Sequence, residues 1–314
     1  MEFCPKIAVI IPIYNGEADL PELLTCLEQQ TYPRDRVEYL LIDNNSRDRT
    51  AELLAAAAQT ATLPLHPLSE ANIQSSYAAR NQGIKSTTAE ILAFTDADCR
   101  PIPEWLECLV QPFSEAEVGL AIGEIAALPG NTLLERHADR QGVLSQKNTL
   151  AHPFCPYGQT ANLAVRRAVF EEVGLFRPYL TTGGDADICW RILRETAWQY
   201  RFVEDAIVQH RHRATLLEYR SQWQRYGRSN RYLHELHGVA LRPPVTAKDA
   251  GYLISRWLLK ELPGKAAGAI AGKTPWVDVV STPLNLYGSW ARDRGQTDAR
   301  LPENARAIEQ FDNG

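Results

Sequence analysis

Ile91-Leu92-Ala93-Phe94-Thr95-Asp96-Ala97-Asp98-Cys99-Arg100-Pro101 is an apolar run that ends in two carboxylates one residue apart. The run has the length and composition of a strand, and Pro101 and Pro103 stop it from continuing or from entering a helix directly. Asp96 and Asp98 therefore belong at a strand's carboxyl end, where an open α/β sheet binds its ligands. Hard oxygen donors there suit Mg²⁺ or Mn²⁺ carrying a diphosphate, although a polar turn would use the same residues with no ligand.

The chain before this stretch supplies the rest of such a sheet. Lys6 to Tyr14 is a continuous apolar run, as expected of a strand buried on both faces, and Asn15-Gly16 breaks it. Leu20, Leu23, Leu24 and Leu27 recur at helical spacing before Tyr32-Pro33 ends the helix. A second strand over Val37 to Ile42 runs into Asp43, and an alanine-rich helix follows that Ser46 or Asp48 can cap. This alternation predicts right-handed βαβ units with Asp43 at the ligand edge, placed to accept from a base N–H or a ribose hydroxyl, or to cap the next helix.

Residues 62 to 70 read as a connection, and Tyr77 to Ile84 as a short helix closed by Gly83. Arg80 on that helix can pair with phosphate, stack on a base or make a surface salt bridge. Further on, Trp105 to Phe113 reads as a helix, Gly119 to Ala126 as a strand, and Thr160 to Val165 as a strand entering a helix closed by Gly174. Residues 129 to 158 mix Gly, Pro and polar residues and are the least readable stretch, part of which is expected to be a flexible loop near the acceptor. Thr181-Thr-Gly-Gly-Asp-Ala-Asp-Ile-Cys-Trp-Arg presents Asp185 and Asp187 at a helix start, where a cap and a general base are both open. A last strand ends at His210-Arg211-His212, where a histidine can ligate a metal or simply hydrogen-bond.

The 314 residues suffice for one large domain or two moderate ones. Six cysteines form no Cys-X-X-Cys pair and no zinc grouping, which reads as reduced thiols in a cytoplasmic protein. There is no basic stretch followed by a long apolar segment at the start and no apolar run of transmembrane length, so neither a signal peptide nor a spanning helix is expected. Residues 1–213 carry 19 Lys/Arg against 28 Asp/Glu, whereas 214–292 carry 11 against 5. We therefore expect a catalytic body over 1–213, a helical, basic, aromatic-bearing accessory segment over 214–292 and a loosely ordered polar tail over 293–314. An acidic body makes nucleic acid an unexpected partner. The aromatics of the accessory segment, Trp223 and Trp257 among them, suit either core packing or peripheral membrane contact.

Together these segments resemble the inverting family 2 glycosyltransferases of GT-A fold. The matching blocks are Val9-Ile-Ile-Pro-Ile-Tyr-Asn, Leu41-Ile-Asp-Asn-Asn-Ser-Arg-Asp, Ala79-Arg-Asn-Gln-Gly-Ile with Phe94-Thr-Asp-Ala-Asp, and Gly183-Gly-Asp-Ala-Asp-Ile-Cys-Trp-Arg, in that order. The resemblance implies an α/β architecture, a Rossmann-like and mostly parallel sheet flanked by helices, with a C-terminal helical extension. It implies Pro12, Tyr14, Asp43, Arg80 and Asp96 against a nucleotide-diphosphate sugar (UDP-sugar favoured), Asp98 and His210 on Mn²⁺ or Mg²⁺, and Asp185 as catalytic base. Gly184, Asp187 and Arg191 would lie on the acceptor side, with Arg191 anchoring the helix behind the base. Many relatives carry Glu-Asp where this chain has Gly184-Asp185, so the acid beside the presumed base is missing. Gln222-Trp-Gln-Arg-Tyr is similar to the Gln-X-X-Arg-Trp signature of processive synthases, but Tyr226 replaces the Trp and no spanning helices accompany it. Single sugar transfer to a carbohydrate or lipid-linked acceptor is therefore expected, in polysaccharide or glycolipid synthesis. The competing expectations are a non-catalytic sugar-nucleotide-binding or membrane scaffold module and a sugar-nucleotide nucleotidyltransferase.

Overall fold

A computed structural model describes residues 3–60 and 62–311. In chain order the elements are β1 (Ile7–Ile13), α1 (Leu20–Glu28), β2 (Val37–Asp43), α2 (Thr50–Thr60), β3 (Leu65–Ser69), α3 (Ser76–Lys85), β4 (Ile91–Phe94), β5 (Cys99–Pro101), α4 (Trp105–Val110) and β6 (Val118–Ala127). They continue with α5 (Leu133–Arg140), α6 (Gln146–Leu150), β7 (Leu163–Arg166), α7 (Arg167–Val173), α8 (Gly184–Glu195), β8 (Gln199–His210), α9 (Leu216–His237), α10 (Ala247–Arg256), α11 (Leu262–Ile270) and α12 (Trp276–Asp298). A π-helical turn over Trp257–Glu261 joins α10 to α11. The chain divides into two compact units, the first made of residues up to 126, 144–210 and from 302 on, the second of 127–143 and 211–301.

The first unit is built on an eight-stranded sheet of order β3-β2-β1-β4-β7-β6-β8-β5. β1 pairs in parallel with both β2 and β4, and β3 extends that parallel half. β7 then runs antiparallel to β4 and β6, and β5 antiparallel to β8. Every residue of β1 is buried, as its unbroken apolar run requires of a strand covered on both faces. Leu20, Leu23 and Leu27 turn the apolar stripe of α1 into the same core.

Several expectations change. Residues 65–69 form an edge strand rather than a connection, and Pro67 is tolerated there because an edge strand needs only one bonded side. Gly83 lies inside α3 and does not close it. A Cβ at Gly83 would sit 2.6 Å from Ile10 Cγ2, so the glycine lets α3 lie directly on β1. The segment 129–158 contains α5 and α6, the former opened by a capping box between Thr132 and Glu135. The polar residues 293–298 complete α12, and the chain from 302 rejoins the first unit. There the Glu309 carbonyl accepts from Leu175 N at 2.8 Å and its carboxylate from Asn81 Nδ2 at 2.7 Å.

The second unit is helical. Gly227 of α9 and Gly295 of α12 bring the two helices into backbone contact, since a Cβ on Gly295 would fall 2.1 Å from the Gln224 carbonyl oxygen. Within this pair Tyr219 stacks on Tyr287 and meets Trp223 edge to face, so those aromatics of the accessory segment pack inside the unit. Among the described residues no helix is long and apolar enough to cross a membrane. All six cysteines are free thiols.

Candidate active site

Parallel register brings the ends of the central strands level, because Ile13 lies opposite Asp43 and Ile10 opposite Phe94. Tyr14, Asp43 and Asp96 consequently emerge at one edge of the sheet. A cleft of about 320 Å³ opens there, lined by Pro12, Tyr14, Asn44, Gln74, Ser75 and Thr181 among others. Its floor is braced: Asn44 Nδ2 donates to the carbonyls of Glu70 and Ile73 at 2.7 and 2.9 Å, and Gln74 Nε2 donates to Asn44 O at 2.8 Å. Asp43 Oδ1 accepts from Ser46 N at 3.1 Å, a local turn contact that uses one of its carboxylate oxygens.

The two acids of the opening stretch have separate partners. Asp96 receives Arg80 Nη2 at 2.5 Å, and Arg80 is buried with its guanidinium 5.5 Å from the Tyr77 ring centroid. The Nε of Arg80 is buried without a partner. Asp98 Oδ2 lies 3.2 Å from His210 Nε2. The antiparallel pairing of β5 and β8, which sets Cys99 opposite His210, makes that contact. Ligand atoms of Asp98, Cys99 and His210 all lie within 4.8 Å of one another.

Burial pushes the Asp96 carboxyl above its ordinary value; Arg80 opposes this, and the charges of Asp98 and Asp185 add to it. One third of its side chain nevertheless remains open to solvent. The same weight of burial, with Asp96 and Asp98 beside it, raises the Cys99 thiol well above its normal range. A soft thiol is poorly suited to hard Mn²⁺ or Mg²⁺, which leaves a carboxylate oxygen and an imidazole nitrogen as the suitable donors. That donor set fits Mn²⁺ or Mg²⁺ with positions left for diphosphate oxygens, and the concentration of negative charge around Asp96 favours a cation.

Asp185 occupies the first turn of α8 and accepts from the Thr160 hydroxyl at 2.6 Å. Gly184 N donates to the Tyr77 hydroxyl at 3.0 Å, and a Cβ on Gly184 would meet the Tyr77 ring at 2.6 to 2.8 Å. The ring therefore fills the space into which a side chain at 184 would grow, which accounts physically for glycine in place of an acid. Asp187 is turned into the protein. It is fully buried, and its two oxygens take Arg177 Nε at 3.0 Å and Arg191 Nε at 3.2 Å. Arg191, also buried, donates onward to the carbonyls of Val173 and Leu175 and so ties α8 to the loop after α7. His212 is buried and falls in the second unit.

Sequence reasoning missed Thr160, Arg177, Tyr77 and the cleft residues Asn44, Gln74 and Thr181. Only Arg191, four residues after Asp187, carried a visible pairing signal.

A sheet of this topology, with carboxylates gathered at the ends of its parallel strands beside a cleft, has the GT-A architecture. Residues 8–174 match the family model "Glycosyl transferase family 2", and the chain belongs to that family. It is 37% identical over 205 residues to the glycosyltransferase AglE of Haloferax volcanii, covering 65% of this chain and 66% of that protein. It is 30% identical over 190 residues to an undecaprenyl-phosphate 4-deoxy-4-formamido-L-arabinose transferase of Pseudomonas aeruginosa, covering 58% of this chain and 55% of the relative. The matches thus span just under two thirds and about half of these relatives' own lengths. Among solved structures, the mannosyltransferase PcManGT of Pyrobaculum calidifontis, in complex with GDP-Man and Mn²⁺, superposes with a TM-score of 0.64 at 20% identity, covering 95% of this chain and 89% of that one.

Proposed function

We propose that the chain moves a single sugar from a nucleoside diphosphate sugar to an acceptor hydroxyl in one in-line displacement, with inversion at the anomeric carbon. The observation that carries this reading is the gathering of Asp96, Asp98, Asp185, Arg80 and His210 in one electrostatic neighbourhood at the strand ends. Pro12, Tyr14 and Asp43 line or flank the site for the nucleoside, and Arg80 holds Asp96 toward the ribose. Asp98 and His210 would hold Mn²⁺ or Mg²⁺. When bound, such an ion neutralises charge on a leaving diphosphate.

Asp185, held by Thr160, takes the proton of the attacking hydroxyl, a contribution of about 10² to 10⁴ in rate. Arg191 and Asp187 set the position of its helix from behind. A lipid-linked or carbohydrate acceptor, in polysaccharide or glycolipid synthesis at the cytoplasmic face of a membrane, completes the reading. Peripheral membrane contact through part of 214–292 belongs to the same reading.

The test is consumption of a panel of UDP- and GDP-sugars with Mn²⁺ or Mg²⁺, comparing wild type with Asp98→Asn and Asp185→Asn. Asp98→Asn is expected to lose metal-dependent donor binding, and Asp185→Asn to keep binding while losing turnover. Release of pyrophosphate instead of a nucleoside diphosphate would point to nucleotidyl transfer. Donor binding without turnover on any acceptor would leave a binding module.

A further inference from the structure

We infer that the outer face of the α10–α11 helix in the second unit is an interfacial docking surface for an anionic lipid bilayer. The inference narrows the membrane contact of the proposed function to one helix and stands on observations separate from the catalytic carboxylates. α10, the π-helical turn and α11 follow one another without a break from Ala247 to Ile270. The inner side is fixed: Trp257 Nε1 donates to the Val279 carbonyl of α12 at 2.8 Å, and Ala269 is buried.

The outer side is apolar and uncovered. Leu259 and Ile270 are 78% and 79% exposed, and Tyr252 is 65% exposed. Spacings of 7, 11 and 18 residues among these three are about two, three and five helical turns, which brings them near one side of the helix. Trp276, also exposed, begins α12 just beyond the end of α11. An isolated exposed leucine would be unremarked, but four large apolar side chains on one short stretch need a partner.

Charge decides which partner. Between 247 and 276 there are five cationic residues, Lys248, Arg256, Lys260, Lys265 and Lys273, and two acids. Both acids are engaged within the unit. Asp249 takes the Thr246 hydroxyl, and Glu261 holds Arg256, Lys265 and Thr282. Among the described residues Lys248, Lys260 and Lys273 make no ion pair, so the apolar face carries positive charge with no acid turned outward against it. Apolar anchors interleaved with lysines match the acyl boundary and the anionic headgroups of a bilayer, whereas a face buried against a second protein would be depleted of lysine.

The experiment is co-sedimentation of the full chain with phosphatidylcholine vesicles prepared with and without phosphatidylglycerol, at low and high salt. Wild type is expected to bind the anionic vesicles, and salt to weaken that binding. Leu259→Glu combined with Ile270→Glu, and separately Lys260→Glu combined with Lys273→Glu, are each expected to reduce partitioning about tenfold or more. These side chains are exposed, so circular dichroism and donor consumption in free solution should match wild type. Absence of vesicle binding by wild type, or equal binding by the variants, overturns the inference. So does a wild-type dimer in sedimentation equilibrium that the Leu259/Ile270 pair dissociates, because a second copy would then cover the face. Loss of donor turnover with vesicle binding intact would instead remove the transferase reading and leave the docking surface standing.

Discussion

Gly184→Ala should be costly out of proportion to one methyl group. The new Cβ would lie 2.6 Å from Tyr77 Cζ and 2.7 Å from Cε1, well inside contact distance. The ring has little freedom to withdraw. It stacks on Phe176 at 5.7 Å, lies beneath the Arg80 guanidinium, and accepts the Gly184 N–H through its hydroxyl. Overpacking of this kind, with the hydrogen bond strained, costs about 2 to 3 kcal/mol. For a unit of this size that lowers the melting midpoint by about 5 to 10 °C. Tyr77→Ala alone should cost about 3 to 5 kcal/mol as a buried aromatic truncated to a cavity. The decisive assay is the double-mutant cycle by urea unfolding. With the ring gone the methyl has room, so the two substitutions together should cost about 2 kcal/mol less than their sum. Additivity within about 0.5 kcal/mol would refute the claim that Tyr77 is what excludes a side chain at 184.

Asp187→Ala leaves the Arg177 and Arg191 guanidinium groups facing each other in the interior, and should cost about 3 to 5 kcal/mol in chemical denaturation. If that variant instead unfolds like wild type while the KM for an acceptor rises, Asp187 faces the acceptor after all. His137, in the second unit, is held below the ordinary histidine value by burial, with the Asn285 side chain at 3.0 Å opposing. A depressed folded-state value means that its stabilising contribution is present above about pH 6.5 and is lost as pH falls through the lower folded value. Melting scans at about pH 7.5 and about pH 5 should show a smaller acid loss for His137→Gln than for wild type; equal losses would exclude His137 as a source of acid sensitivity.

The parallel half of the sheet was legible because its signals are local. Seven consecutive apolar residues at 7–13 admit no surface strand, and the leucines of α1 recur on one face. The edge strand at 65–69 was not, since it carries Pro67, buries no residue fully and is defined only by the neighbour it pairs with. The helix at 133–140 had its Thr132–Glu135 capping box in plain sight, within a segment whose glycine and proline content suggested a loop. Site residues divide in the same way. Asp96 and Asp98 could be placed at a strand end from their own surroundings. The contact of Asp98 with His210 depends on the register of β5 against β8, which no spacing encodes. Asp185 and Asp187, two residues apart on a helix, point about 200° apart, so only one of them can face solvent. Which one turns inward is seen only in the structure, where Asp187 is buried between Arg177 and Arg191.

That Asp96 and Asp98 have different partners sets an order of sensitivity around the site. Arg80 is buried and is bonded to Asp96, while Asp98 and Asp185 add negative charge that raises the Asp96 carboxyl further. Because its folded-state value lies above the ordinary value near 3.9, the contribution of Asp96 to stability is greatest below that pH and is lost as pH rises through the folded value. At neutral pH, therefore, Asp96→Asn removes an unfavourable charge but leaves the buried Arg80 guanidinium unpaired, so the gain offsets only part of that loss. Arg80→Met has no such offset: it strands Asp96 beside two other carboxylates and should cost about 3 to 5 kcal/mol. The pair Arg80→Met with Asp96→Asn should recover most of that loss, because neither partner is then a buried unpaired charge. Thermal melts of the three variants at neutral pH distinguish this from simple loss of packing, in which Asp96→Asn would do nothing for the Arg80→Met protein. Recovery would show that Arg80 holds its place by answering the charge on Asp96, so the arginine and the acids form one electrostatic unit.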